Sequence, residues 1–176
     1  MDLKFRPLTA EDVECRVAQV AKDGKWFTAL LYKSARTDMA ILDEAVGPMN
    51  RQRQHLRDNA NCIISIWDSE KKMWVGKEDT GTESNTEAEK GLASDSFKRA
   101  GFNWGIGREL YTAPLIYVKS EDKTGENYAI KEFNGKFTPD VRLEVTFMKV
   151  KNGRIVGLNI ENTKKRRTVF AWGELQ

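Results

Sequence analysis

The chain has 176 residues, 40% of them hydrophobic, with 29 Lys and Arg against 26 Asp and Glu for a net charge of +3. That length supports one domain, residues 1–176, with a real core, and the charge is too mild to establish a nucleic-acid partner, which leaves the question to local clustering. A single histidine, His55, and two distant cysteines, Cys15 and Cys62, argue against zinc ligation and a Cys-His nucleophile, and no apolar run approaches the roughly 18 residues of a membrane span. The reading is a soluble, reducing, intracellular protein with no cofactor and no membrane association.

In chain order, "PLTAEDVECRVAQVAKDGK" predicts a first helix, with Thr9 capping toward Asp12 and with Val13, Val17 and Val20 on one face. "KWFTALLY" predicts a strand from Trp26 to Tyr32. "SARTDMAILDEAVGP" predicts a second helix, capped by Ser34 and ended by Gly47-Pro48. From Arg51 to about Gly81 the pattern is short, β-prone and punctuated, which suggests an antiparallel hairpin or meander. A long helix follows. Beyond it "APLIYVK", "NYAIKEF", "VRLEVTFMKV", "RIVGLNIEN" and "RTVFAWGE" predict strands joined by turns such as Lys151-Asn152-Gly153. The expected fold class is α+β, with antiparallel sheet and hairpins packed on a long central helix.

The long helix carries the chemistry. Ser84 to Thr86 supply cap candidates, and Glu83, Glu87 and Glu89 place negative charge at the positive end of the helix dipole. At about 100° per residue, Ala93, Phe97, Ala100 and Trp104 share one face, while Asp95, Lys98, Arg99 and Phe102 fall on the other. Lys98-Arg99 is either a solvated helix face or a phosphate clamp. Gly101, Gly105 and Gly107 favour a special role, because glycine in a helix costs up to about 1 kcal/mol relative to alanine unless close backbone approach, a kink or a turn requires it. No nucleotide-binding glycine motif is present, so ATP is not expected.

The run "GTESNTEAEKGLASDSFKRAGFNWGIGRELY" resembles the signature helix of the Sak-type phage single-strand annealing proteins of the Rad-fifty-two superfamily. Asp95, Lys98, Arg99, Ala100, Gly105, Leu110 and Tyr111 carry the shared skeleton, and the likeness extends through "ILDEAVGPMNRQRQ" and "IVGLNIENTKKRRTVFAWGE". The resemblance implies a sheet packed on a long helix and subunits in a homo-oligomeric ring, undecamer-type in relatives, with single-stranded DNA in a basic groove around it. It further implies ATP-independent annealing of complementary strands in phage homologous recombination, in the cytoplasm of a bacterial host, beside a single-strand-binding protein or an exonuclease.

Carried over singly, Lys98 and Arg99 match the basic pair of the groove. Arg16 resembles a DNA-contacting residue of the first helix, and Tyr32 a groove aromatic. The family's third basic position is here Phe102, an aromatic suited to stacking on a base. Arg51 stands where phage relatives often have tryptophan, so "NRQRQHLR" offers further backbone contacts through Arg51, Arg53 and Arg57.

Binding without sequence preference needs cations that follow phosphates and aromatic faces that accept any base, and annealing needs no bond chemistry, so no enzyme activity is expected. Two alternatives stand beside this reading. One is a metal-dependent nuclease built on Asp79, Glu83 and Glu87, although helix-start acids are explained by the dipole. The other is a generic OB-like single-strand binder, which suits the aromatics but not the long helix. "TKKRR" at Thr163 to Arg167 reads as charged turn residues between two strands.

Overall fold

The computed structural model describes residues 3–82, 88–119 and 130–176. In chain order its regular elements are β1 (Val13–Val20), β2 (Trp26–Lys33), α1 (Ala35–Val46), β3 (Arg51–Leu56), β4 (Asn61–Asp68), β5 (Met73–Thr80), α2 (Ala88–Trp104), β6 (Ile116–Lys119), β7 (Ile130–Phe133), β8 (Lys136–Pro139), β9 (Leu143–Lys151), β10 (Arg154–Asn162) and β11 (Arg167–Gly173). Strands take 47% of the described residues and helices 24%. The chain divides into two compact units, one of Met1–Pro7 with Lys33–Arg108 and one of Leu8–Tyr32 with Glu109–Gln176.

The expected α+β class built on a long central helix is therefore corrected to a mostly β chain. Both α-helices found among the described residues lie within the first unit. The clearest single error is the first predicted helix. Thr9 and Asp12 do form a capping box, but it caps only the 3-10 turn Ala10–Asp12, and the chain then enters β1. Val13 and Cys15 are buried while Glu14 and Arg16 are exposed, a period of two that seats the segment in a sheet beside β9 and β2. The β-branched valines that mimic a helical stripe are better accommodated there. No helix among the described residues is long and apolar enough to cross a membrane.

In the first unit β3, β4 and β5 form an antiparallel meander. Cys62, Ile64 and Ile66 alternate along β4 toward one face and are buried at 0 to 2% exposure. α2 packs against β4 and β5, contributing Phe97 and Ala100, and the Trp104 indole donates to the Ile64 carbonyl at 2.9 Å. α1 is capped by Ser34, whose hydroxyl oxygen accepts from the Thr37 N–H at 3.2 Å, and it buries Ile41 and Leu42.

The second unit is a six-stranded sheet in the order β11-β10-β9-β1-β2-β6, accompanied by the β7–β8 hairpin. Its edge strands β11 and β6 touch, so the sheet nearly closes on itself. Bulges in the β9–β10 and β10–β11 ladders bend it. Gly157 and Gly173 face each other across the β10–β11 ladder. A Cβ on Gly157 would lie 1.9 Å from the Glu174 carbonyl oxygen, so backbone approach excludes any side chain there. The segment Arg108–Thr112, which begins at the last residue of the first unit, is a 3-10 helix. Buried Glu109 within it accepts from the Leu8 N–H at 2.6 Å.

Candidate nucleic-acid interface

α2 brings Asp95, Lys98, Arg99 and Phe102 together on the side opposite Phe97, Ala100 and Trp104, as its 100° step dictates. Asp95 organises both cations. Arg99 Nε donates to its Oδ2 at 3.2 Å, and the Lys98 ammonium lies 3.9 Å from Oδ1. The Thr82 N–H and hydroxyl donate to Oδ2 at 2.9 and 3.1 Å. Burial pushes the Asp95 carboxyl up, but the Thr82 and Arg99 hydrogen bonds and the Lys98 charge together outweigh it and hold it below the usual carboxylate range. The side chains of Lys98 and Arg99 remain 23% and 42% exposed, within reach of a polyanion. The acids and caps expected at the start of this helix, residues 83–90, lie outside the described side chains.

Behind this face sits a pair that the sequence reading missed. Lys33 and Asp38 are 1% and 0% exposed and hydrogen-bonded to each other. The Lys33 ammonium also donates to the Lys98 carbonyl at 3.4 Å and lies 4.2 Å from the centroid of the Phe102 ring. Phe102 thus spends one ring face on Lys33 rather than standing free for a base. Gly101 is explained here as well: a Cβ at that position would sit 3.3 Å from the Asp38 carboxyl. Gly105 and Gly107, by contrast, have φ of 105° and 74° and turn the chain out of the helix.

Two further cations were missed, both at the C-terminal end of α2. Lys77 Nζ donates to the Asn103 carbonyl at 2.9 Å and lies 4.6 Å from the Trp104 ring centroid. Arg108 donates to the carbonyls of Phe102 and Asn103 at 2.6 and 2.9 Å. Both cap the Asn103 carbonyl at the negative end of the helix dipole, and Arg108 adds a second bond to the Phe102 carbonyl, which also accepts from the Gly105 N–H at 3.0 Å. No helical spacing links them to α2; only the glycine turn after Trp104 hinted that Arg108 folds back.

The "NRQRQHLR" cations separate into three environments. Arg51 is bidentate to Asp43, at 2.8 and 3.1 Å, and these bonds and its charge lower the Asp43 pKa. Its guanidinium is committed within the fold. Arg53 is exposed and lies 5.1 Å from the ring centroid of buried Phe97. Arg57 is exposed in the β3–β4 turn, in a left-handed conformation at φ 52°.

Arg16 and Tyr32 belong to the second unit, Arg16 on β1 rather than on the expected helix and Tyr32 on β2, the strand expected for it. The Arg16 guanidinium lies 5.2 Å from the Tyr32 ring centroid, and the Tyr32 hydroxyl donates to Glu14 at 2.6 Å. That hydrogen bond, with burial, pushes the phenol up to about 12. The candidate residues therefore fall into two groups on two units.

Glu83 and Glu87 of the nuclease alternative lie outside the described residues, and the Asp79 carboxylate accepts from the Thr80 N–H at 2.7 Å and Asn103 Nδ2 at 3.1 Å. Cys15 and Cys62 are buried thiols, pushed by desolvation up to about 12 and 11. Thr163 to Arg166 of "TKKRR" form the turn between β10 and β11, Arg167 opens β11, and Lys164 pairs with Asp140. No family model matches the chain, and no curated protein or solved structure matches it either.

Proposed function

We propose that the chain binds single-stranded DNA along the Lys98-Arg99 face of α2 and anneals complementary strands without ATP, as a homo-oligomeric ring serving phage recombination. The observation that carries this reading is the pairing of two adjacent, part-exposed cations on one rigid helix face, both held by the single carboxylate of Asp95. A phosphate approaching this face exchanges with Asp95 for the same donors, which is cheaper than ordering free side chains. Backbone phosphates are then neutralised while base edges stay outward, so a complementary strand can test pairing against a strand of reduced charge. The resemblance of residues 81–111 to the Sak-type signature supports the same assignment. The open edges β3 and β5 of the three-stranded sheet suit self-association.

The test is a salt titration of fluorescent oligonucleotide binding beside a strand-annealing assay, for the parent and a Lys98→Ala/Arg99→Ala double variant. Loss of two phosphate contacts flattens the log-log salt slope by roughly 1.4 per subunit engaged, at about 0.7 per contact, and annealing falls with it. A double variant with parental affinity, slope and annealing rate would sink the reading. A generic single-strand binder remains the second reading, favoured by Arg16 stacked on Tyr32 in the nearly closed sheet. It predicts binding without acceleration of annealing, sensitive to Arg16→Ala and not to the α2 pair.

A further inference from the structure

Among the described residues Met49 is the most exposed of the large apolar side chains, at 86%. It does not hang on a loose loop. It lies in the 3-10 turn Pro48–Asn50, between Pro48, whose φ is fixed by its ring, and Asn50, whose side-chain amide donates to the Val46 carbonyl at 2.8 Å. The next residue is Arg51, clamped to Asp43. A thioether is thus presented to solvent from a stiff base, where association forfeits little backbone freedom.

The same unit contains a cavity of about 150 Å³, open to solvent and walled by Leu3, Ile66, Trp67, Val75 and Trp104 beside the Asp68–Lys71 ion pair. Apolar cavities of roughly that size accept a molecule such as benzene. Two indoles in the wall favour sulfur, because thioethers make attractive contacts with aromatic rings.

We propose that Met49 of one copy inserts into the Trp67/Trp104 cavity of a second copy, joining subunits head to tail through their first units. Knob and hole lie on different surfaces of one chain, so the contact is heterologous, and such contacts propagate into rings or filaments rather than stopping at a dimer. Strand order supports the geometry. β4 is antiparallel to both β3 and β5, so β3 and β5 run the same way, and Arg51, Ile66 and Val75 share one row. The outer edge of β5 is occupied at Glu78, whose carbonyl accepts from Asn103 Nδ2 at 2.8 Å, so a second copy's β3 pairs with β5 only around Val75, and in that row its Met49 comes level with Met73, two residues from Val75 in the cavity wall. The inference rests on the self-association part of the function proposed above and is independent of DNA binding.

Sedimentation velocity at tens of micromolar protein tests it on the parent, Met49→Glu, the milder Met49→Ala, and Leu3→Trp, which fills the cavity from outside any helix or strand. Thermal melts establish that each variant is folded. The parent sediments as a multimer larger than a dimer, Met49→Glu and Leu3→Trp as monomers, and Met49→Ala associates at least tenfold more weakly. An equimolar mixture of Met49→Glu and Leu3→Trp retains one intact knob and one intact hole, and forms a heterodimer that neither variant forms alone. A parental distribution for folded Met49→Glu, a monomeric parent, or a mixture without heterodimer overturns the contact. Oligonucleotide annealing by the same samples separates the two proposals. A monomeric parent that anneals strands leaves the DNA reading standing and removes this one, whereas a Met49-dependent multimer that neither binds nor anneals strands does the reverse.

Discussion

Lys33 and Asp38 form an ion pair from which water is excluded, yet Asp38 Oδ2 has no hydrogen-bond partner. A half-satisfied carboxylate at zero exposure is expensive, and its geometry is held from three sides by Lys33, by the close backbone of Gly101 and by the Phe102 ring over the ammonium.

Removing one partner should therefore hurt more than removing both. Lys33→Met or Asp38→Leu alone leaves a buried unpaired charge and should cost about 3 to 5 kcal/mol, whereas the double change should be neutral or stabilising by up to about 4 kcal/mol. Denaturant melts of the three variants and the parent form the cycle. A double variant as unstable as either single variant would show that the pair is worth its desolvation.

Stability should fall with rising pH through this carboxyl. Burial, opposed by Lys33, raises the Asp38 pKa from 3.8 to about 6, so the folded state binds the proton more tightly than the unfolded chain. The stability this confers is present below about pH 4 and lost as pH rises through 6, a change of roughly 3 kcal/mol at about 1.4 kcal/mol per pKa unit. Denaturation of the parent and Asp38→Asn at several pH values isolates it, because other titrating groups are common to both. Identical slopes between pH 4 and 7 would remove Asp38 as the source.

Gly101→Ala should change sign with its neighbour. In the parent the new Cβ meets the Asp38 carboxyl at 3.3 Å, so a buried, paired carboxylate must shift by a few tenths of an ångström, and the substitution should destabilise despite alanine's helix propensity. In an Asp38→Ala background the obstruction is gone, and the same substitution should stabilise by up to about 1 kcal/mol. Thermal melts of the four proteins give the coupling.

Neighbouring cations should divide by their existing commitments. Asp95→Asn removes the carboxylate that competes with phosphate for Lys98 and Arg99, and should tighten single-strand binding while lowering stability slightly. Arg51→Ala should leave the salt slope unchanged and cost about 1 kcal/mol, because its guanidinium is already spent on Asp43. Arg53→Ala and Arg57→Ala should each flatten the slope if DNA reaches β3. Oligonucleotide titrations at several salt concentrations, with parallel melts, rank them.

Signals confined to neighbouring residues were legible without a structure. Ser34 and the Gly47-Pro48 stop bounded α1, the short, β-prone and punctuated pattern from Arg51 to about Gly81 announced the β3–β5 meander, and Lys151-Asn152-Gly153 made the β9–β10 turn, with Asn152 and Gly153 both at positive φ. The 100° step of α2 likewise separated Phe97 from Lys98 and Arg99 in advance. Segment 13–20 was misread because Val13, Val17 and Val20 satisfy a helical stripe as well as a strand. Only the pairing partners β9 and β2, more than a hundred residues apart in the chain, decide between them.

The environment of each charge was decided by tertiary structure alone. Asp95 lies within one turn of Lys98 and Arg99 and could be paired with them by counting, but nothing local predicts that Lys33 reaches across to Asp38 and Phe102, that Lys77 and Arg108 close the end of α2, or that Arg51 is consumed by Asp43. Periodicity reports which face a residue occupies. Whether a cation on that face is free for a phosphate depends on desolvation and on partners brought close by the fold, and those distances are not written in any window of the sequence.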